Sequence, residues 1–159
     1  MILSDLEILR RLKEGSLVVE PFNPEDLTPN GLDFRLGEEL MDLEGGSKLP
    51  LREEVLLKPN HRYLAVTVQR VQMPLDLIAI VSLRSTWARL GFQIPTTVVD
   101  AGYKGRLTLA FTTGAEPVRV KMGAKIWHLI FMECYPSSGY KGKYQGSEGL
   151  KPADLSTES

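Results

Sequence analysis

A mainly β architecture, a distorted antiparallel barrel or jelly roll carrying one N-terminal helix and one short internal helix, is the fold class this sequence predicts. Three observations point there. Between residues 17 and 134, nine short runs rich in Val, Ile, Leu and aromatic residues are punctuated by Pro and Gly. No long helical period alternates with them, as a βαβ chain would require. At 159 residues with 43% hydrophobic and 25% charged side chains, the chain has apolar material for one buried core and little for a second.

Taken in order, Ser4 or Asp5 can cap a first helix in which Leu6, Ile8, Leu9 and Leu12 recur at near-helical spacing, leaving Arg10, Arg11 and Lys13 for the opposite face. Gly15 stops it. Strands are then expected at 17–19, 32–36, 55–57, 63–68, 77–82, 93–99, 107–111, 118–120 and 126–134. A second short helix fits at 86–90, between two of these runs. From Pro136 the chain is rich in Gly, Ser and Lys and poor in branched apolar residues. That shift divides it into a barrel domain over 1–135 and a flexible tail over 136–159.

Charge and cysteine content exclude several functions. The 19 basic and 20 acidic residues nearly cancel, so no overall field draws the chain to nucleic acid or to an anionic membrane. Any polyanion must be captured by a local cluster. A single cysteine, Cys134, rules out an internal disulfide and a zinc site built on paired cysteines. The opening Met1-Ile2-Leu3-Ser4-Asp5 lacks a signal peptide's charged lead and apolar run, and no window holds the roughly 20 apolar residues of a spanning helix. A soluble, cytoplasmic protein is the expectation.

The densest chemical signal is Arg84-Ser85-Thr86-Trp87-Ala88-Arg89. If Ser85 begins the short helix, its hydroxyl and the free N–H groups of the first turn form an anion site, to which Arg84 and Arg89 add charge-assisted bonds. That would be a triphosphate cradle without a Walker motif. A surface turn whose arginines pair with carboxylates accounts for the same residues, and the motif alone leaves both readings open. Further on, Asp100-Ala101-Gly102-Tyr103-Lys104-Gly105 lies between two β-branched runs and reads as a hairpin. By itself it is as readily a plain turn.

Together, these two stretches resemble the paired motifs of the dCTP deaminase/dUTPase family, "R-S-x-x-A-R-x-G" followed by "V-D-x-G-Y-x-G". Three more stretches agree in order: Pro29-Asn30-Gly31-Leu32-Asp33-Phe34-Arg35-Leu36-Gly37, then Met122-Gly123-Ala124-Lys125-Ile126-Trp127-His128-Leu129-Ile130, then Tyr140-Lys141-Gly142-Lys143-Tyr144-Gln145-Gly146-Ser147. The resemblance implies a dUTPase-like, β-clip barrel that assembles as a homotrimer with active sites at subunit boundaries. It implies that Arg84, Ser85, Thr86 and Arg89 bind phosphates, joined by Lys143 and Gln145 from a tail that closes over the nucleotide. Thr97, Val98, Val99, Asp100, Tyr103 and Tyr140 would hold the base and sugar. His128 stands where dUTPases usually carry a phosphate-side Gln, and whether it touches phosphate or is a satisfied strand residue stays open.

Within the family, dCTP deaminases carry a proton-shuttling glutamate on the strand after the hairpin, in a pattern like "V-L-E-F-N". Here that strand reads Leu107-Thr108-Leu109-Ala110-Phe111-Thr112, with Ala110 at the glutamate position. Positioned acid–base catalysis contributes typically ~10² to 10⁴ in rate, so its loss should all but silence deamination. Glu116 lies past Gly114 in the next turn and is no substitute. Phosphoanhydride hydrolysis asks for an in-line triphosphate, an oriented water and a carboxylate, for which Asp100 is the candidate. Mg²⁺ is expected as the cofactor, held by substrate phosphates and water rather than by an acidic cluster. The expectation is therefore a dUTP diphosphatase, resembling a short, archaeal-type branch that lacks the glutamate. Deamination of dCTP and a catalytically silent nucleotide-binding homologue are the alternatives.

Overall fold

The computed structural model describes residues 1–50, 52, 54–156 and 158. Residues 157 and 159 of the expected tail lie outside that set. Helix α1 spans Asp5–Glu14, with the Ser4 hydroxyl accepting from the Glu7 amide at 3.4 Å and Gly15 closing it in a left-handed conformation. One expectation for this helix fails. Arg11 is buried rather than on the solvent face, and Leu6 is 74% exposed. The helix is turned so that Arg11 reaches Asp76 at 2.9 Å and Glu133 at 3.5 Å, a gain that apolar spacing alone does not reveal.

Eleven strands follow: β1 (Val18–Glu20), β2 (Leu27–Thr28), β3 (Gly31–Asp42), β4 (Lys48–Pro50), β5 (Val55–Leu57), β6 (Arg62–Gln72), β7 (Leu77–Leu83), β8 (Thr97–Val99), β9 (Lys104–Thr112), β10 (Val118–Val120) and β11 (Lys125–Glu133). A short 3₁₀ turn lies at Pro24–Asp26, and helix α2 occupies Ser85–Arg89, one residue earlier than expected. Nine strands form one sheet along the path β1-β6-β3-β11-β7-β8, with β2 and β4 added on β3 and β9 on β6. The tenth and eleventh, β5 and β10, pair with each other. Every pairing between these strands is antiparallel, and the sheet curls into a half-barrel, in accord with the mainly β class.

Strand lengths differ from the sequence expectation for physical reasons. β3 and β6 run on through polar residues because register shifts let them stay paired while they bend. At the β6 shift, Thr67 Oγ1 accepts from the Leu107 amide at 3.0 Å and donates to the Gln69 carbonyl at 2.8 Å. A side chain thus completes hydrogen bonds that the ladder leaves open. The expected strand at 93–99 shortens to β8, because Pro95 has no N–H to donate; Gln93 instead forms an isolated bridge with Thr112. β2 has only two residues, and β4 carries a single branched apolar residue, Leu49, between Lys48 and Pro50, so neither leaves a strand pattern.

Alternate residues of each long strand point into one core. Phe111 stacks on Tyr63 and Phe92 at 5.6 and 5.7 Å and meets Trp127 edge-on at 6.3 Å. On the opposite face of β7 and β11, Ile80 pairs with Ile130 and Ile78 with Met132. These four side chains are half-buried, and Val98 of β8, opposite Ile80, is exposed. Among the described residues no helix is long and apolar enough to cross a membrane.

Candidate active site

The hairpin between β8 and β9 is built by its own turn and by its neighbours. The Tyr103 amide donates to the Asp100 carbonyl at 3.2 Å, and the Gly102 amide to the Pro74 carbonyl at 3.1 Å. The Tyr103 hydroxyl donates to the Arg106 carbonyl at 2.7 Å, and the ring meets Tyr140 edge-on at 5.5 Å. Burial pushes the Tyr103 phenol above its ordinary value, which keeps it a neutral donor. Its ring stiffens one wall of a cavity of about 430 Å³.

Thr97, Val98, Val99, Asp100, Tyr103 and Tyr140, all six residues expected to hold base and sugar, line that cavity. Its floor is the outer side of β9, including Thr108, with Leu64 of β6 and Leu43 beside it. Ala110 shares the half-exposed side of β9 with Thr108 and stands opposite Leu64 in the ladder. Asp100 is the single carboxylate on the wall among the described residues.

The chain's own tail forms the remaining side. Ser147 makes a parallel bridge to Gly105, the Arg106 amide donates to the Ser147 carbonyl at 2.6 Å, and the Lys151 amide donates to Thr108 Oγ1 at 2.9 Å. Gln145 accepts from the Lys104 amide at 2.7 Å and donates to the Gly102 and Tyr140 carbonyls at 2.9 and 3.1 Å. Lys143 contacts the Asp154 carbonyl and pairs with Glu158 at 2.8 Å. Lys143 and Gln145, the two tail residues expected on phosphate, therefore have protein partners here. Sequence reasoning missed the anchor that carries the tail. Arg106 forms a two-pronged pair with Glu38 at 2.6 Å and donates to the Glu148 carbonyl at 3.1 Å, while Arg70 pairs with the Glu148 carboxylate at 2.8 Å. The Arg106 hydrogen bonds hold the Glu38 carboxyl below its usual value. A partner 68 residues away leaves no local signal.

The arginine-serine turn lies apart. None of Arg84, Ser85, Thr86 or Arg89 lines the cavity. The turn is fastened to β11: the Arg84 amide donates to the Ile126 carbonyl at 2.9 Å and Trp87 Nε1 to the Lys125 carbonyl at 2.6 Å. Ser85, Thr86 and Arg89 are exposed, and Arg89 has no ion pair among the described residues. Arg84 is half-buried, its Nε 2.9 Å from Asp33 Oδ2. His128 sits on the other oxygen of that carboxylate, Nδ1 to Oδ1 at 3.0 Å. No group of three or more His, Cys, Asp or Glu residues suited to hold a metal occurs among the described residues.

Comparison with known proteins gives consistent matches. A family model described as dCTP deaminase-like matches residues 2–134. A probable deoxyuridine 5'-triphosphate nucleotidohydrolase of Sulfolobus islandicus rod-shaped virus 1 is 35% identical, over 94% of this chain and 96% of the relative. A dCTP deaminase of Acidianus ambivalens is also 35% identical, over 94% and 95%. Among solved structures, the 2'-deoxycytidine 5'-triphosphate deaminase of Agrobacterium tumefaciens superposes with a TM-score of 0.72 at 20% identity, covering 82% of this chain and 47% of that one. A point mutant of the Staphylococcus bacteriophage 80alpha dUTPase gives 0.52 at 16%, covering 80% and 96%.

Proposed function

Since the chain belongs to the dCTP deaminase-like family, we propose that it hydrolyses dUTP to dUMP and pyrophosphate. The observation that carries this reading is Ala110. By the family resemblance it occupies the position of the proton-shuttling glutamate; it lies on the same half-exposed side of β9 as the cavity-lining Thr108, is not itself on the cavity wall, and a methyl group moves no proton. Asp100 is then the one carboxylate on the cavity wall among the described residues, suited to orient and deprotonate water. The names of the relatives do not decide the matter, because a viral nucleotidohydrolase and an archaeal deaminase match equally well.

In this reading Tyr103 packs beneath the deoxyribose, and backbone groups of 97–99 read the pyrimidine edge. Arg84, Ser85, Thr86 and Arg89 hold the phosphates of a nucleotide seated against a neighbouring subunit's hairpin. Two facts support such an assembly. The phosphate turn lies off the wall of the chain's own cavity, and Ile78, Ile80, Ile130 and Met132 form an apolar face that the chain itself covers only in part. A homotrimer with shared sites accounts for both. A magnesium ion, when bound on the triphosphate, would neutralise charge on its oxygens. Lys143 and Gln145 would exchange their present partners for phosphate as the 136–159 tail reorders over substrate.

Deamination of dCTP is the second reading, favoured by the names of the archaeal relatives. One experiment separates them: dUTP and dCTP are incubated side by side with Mg²⁺, and the products are resolved by chromatography for wild type and Asp100→Asn. Pyrophosphate and dUMP from dUTP, lost in Asp100→Asn, are the expected result. Uracil products from dCTP with no pyrophosphate from dUTP would overturn the proposal, and binding without turnover would mark a silent homologue.

A further inference from the structure

We infer that Asp33 is a positioning residue for triphosphate recognition, acting through Arg84; the inference rests on the nucleotide reading above. Asp33 is 2% exposed, on β3, directly opposite His128 of β11, which in turn stands opposite Ser82 of β7. Arg84 follows β7 immediately. Three adjacent strands thus bring a buried carboxylate under the phosphate turn although Asp33 and Arg84 are far apart in sequence.

Both oxygens of Asp33 are used, and by different partners. Oδ1 faces His128 Nδ1 at 3.0 Å and Oδ2 faces Arg84 Nε at 2.9 Å. A carboxylate buried this deeply is tolerable only when paired, so it anchors what it touches. Arg84 is accordingly held at both ends, by its backbone amide on Ile126 and by its Nε on Asp33. Neither Nη atom hydrogen-bonds to another described residue, and the side chain is 38% exposed. The inner edge of the guanidinium faces protein and the outer fork is left for an anion, the geometry in which a planar donor pair meets phosphate.

Arg89 provides the contrast within the same turn. It is exposed and has no ion pair among the described residues, so it pays its ordering cost when substrate binds. Arg84 has already been ordered by Asp33. Like Arg84, Asp33 lies off the wall of the chain's own cavity, and it meets the arginine-serine turn through Arg84 Nε.

The test is a double-mutant cycle read by calorimetry, with α,β-imido-dUTP as the triphosphate probe and dUMP as the probe lacking the outer phosphates. Asp33→Asn should weaken the triphosphate probe about tenfold and leave dUMP unchanged. In an Arg84→Ala background the same substitution should add nothing. Equal weakening of both probes, or full additivity with Arg84→Ala, would make Asp33 merely structural and overturn the inference. If Asp33→Asn melts below the assay temperature, Asp33→Glu, which keeps the charge but displaces it by one methylene, carries the same cycle. A wild-type protein that binds neither probe defeats the nucleotide reading itself; binding of both with no effect of Asp33→Asn defeats only the positioning role.

Discussion

Gly105 holds the tail against the hairpin by having no side chain, and replacing it with alanine should release that tail. A Cβ at Gly105 would stand 2.7 Å from the Ser147 carbonyl oxygen, 2.8 Å from its amide nitrogen and 2.9 Å from the Tyr103 hydroxyl. Two of these neighbours are backbone, which cannot swing aside as a flexible side chain can. The residue also has φ of +142°, a conformation that costs an L-amino acid about 1–3 kcal/mol whether or not the tail is attached. Relief comes by detaching Ser147, at the loss of the Arg106 N–H to Ser147 O bond of 2.6 Å and the Gly146 N–H to Lys104 O bond of 2.8 Å. At about 0.5–1.5 kcal/mol net each, those bonds are worth about 1–3 kcal/mol. A clash that overcomes them raises the open fraction of the tail by about ten- to a hundredfold. Hydrogen exchange at the Arg106 and Gly146 amides reads that fraction directly. Exchange at both amides matching wild type, in a folded Gly105→Ala protein, would refute the reasoning.

Two further outcomes follow from other parts of the fold. Burial alone would raise the Asp26 carboxyl, but hydrogen bonds and charge from Arg35 and Lys125 outweigh it and hold the group below its usual value. Its stabilisation is therefore present above the unfolded-state pKa of about 3.9 and is lost as pH falls through the lower folded value. Asp26→Asn should cost about 2 kcal/mol at neutral pH and flatten the fall of Tm below about pH 4, and melts across that range with an unchanged slope would contradict it. Ile130→Asp places a charge in the apolar face opposite Ile80 and should yield a monomer without turnover. Light scattering and a pyrophosphate assay check both halves, and an active, undissociated variant would remove that face from the assembly.

The elements that could be read from sequence are those set by neighbours along the chain. The Ser4 cap, the Gly15 stop, the runs at 55–57 and 118–120 and the hairpin at Asp100–Tyr103 depend on local hydrogen bonds, φ preferences and side-chain alternation. The family motifs are local in the same sense, and the six base and sugar candidates do line one cavity. Where local signals are weak, sequence and structure part: β2 has two residues, β4 has one branched apolar residue beside Pro50, and 93–99 reads as continuous despite Pro95. On α1, apolar spacing pointed away from Arg11, whose burial is decided by carboxylates in β11 and before β7.

The sequence by itself determined a mainly β fold, the location of the arginine-serine turn and of the Asp-Gly-Tyr hairpin, and an alanine at position 110, where the resemblance puts the deaminases' glutamate. Each follows from composition, spacing or the identity of one residue. Only the tertiary structure decided that Arg84 leans on Asp33, that Arg106 joins Glu38 to the tail, and that the arginine-serine turn lies off the wall of the chain's own cavity. These relations join residues far apart along the chain. Strand order and register, not sequence distance, set how close they come.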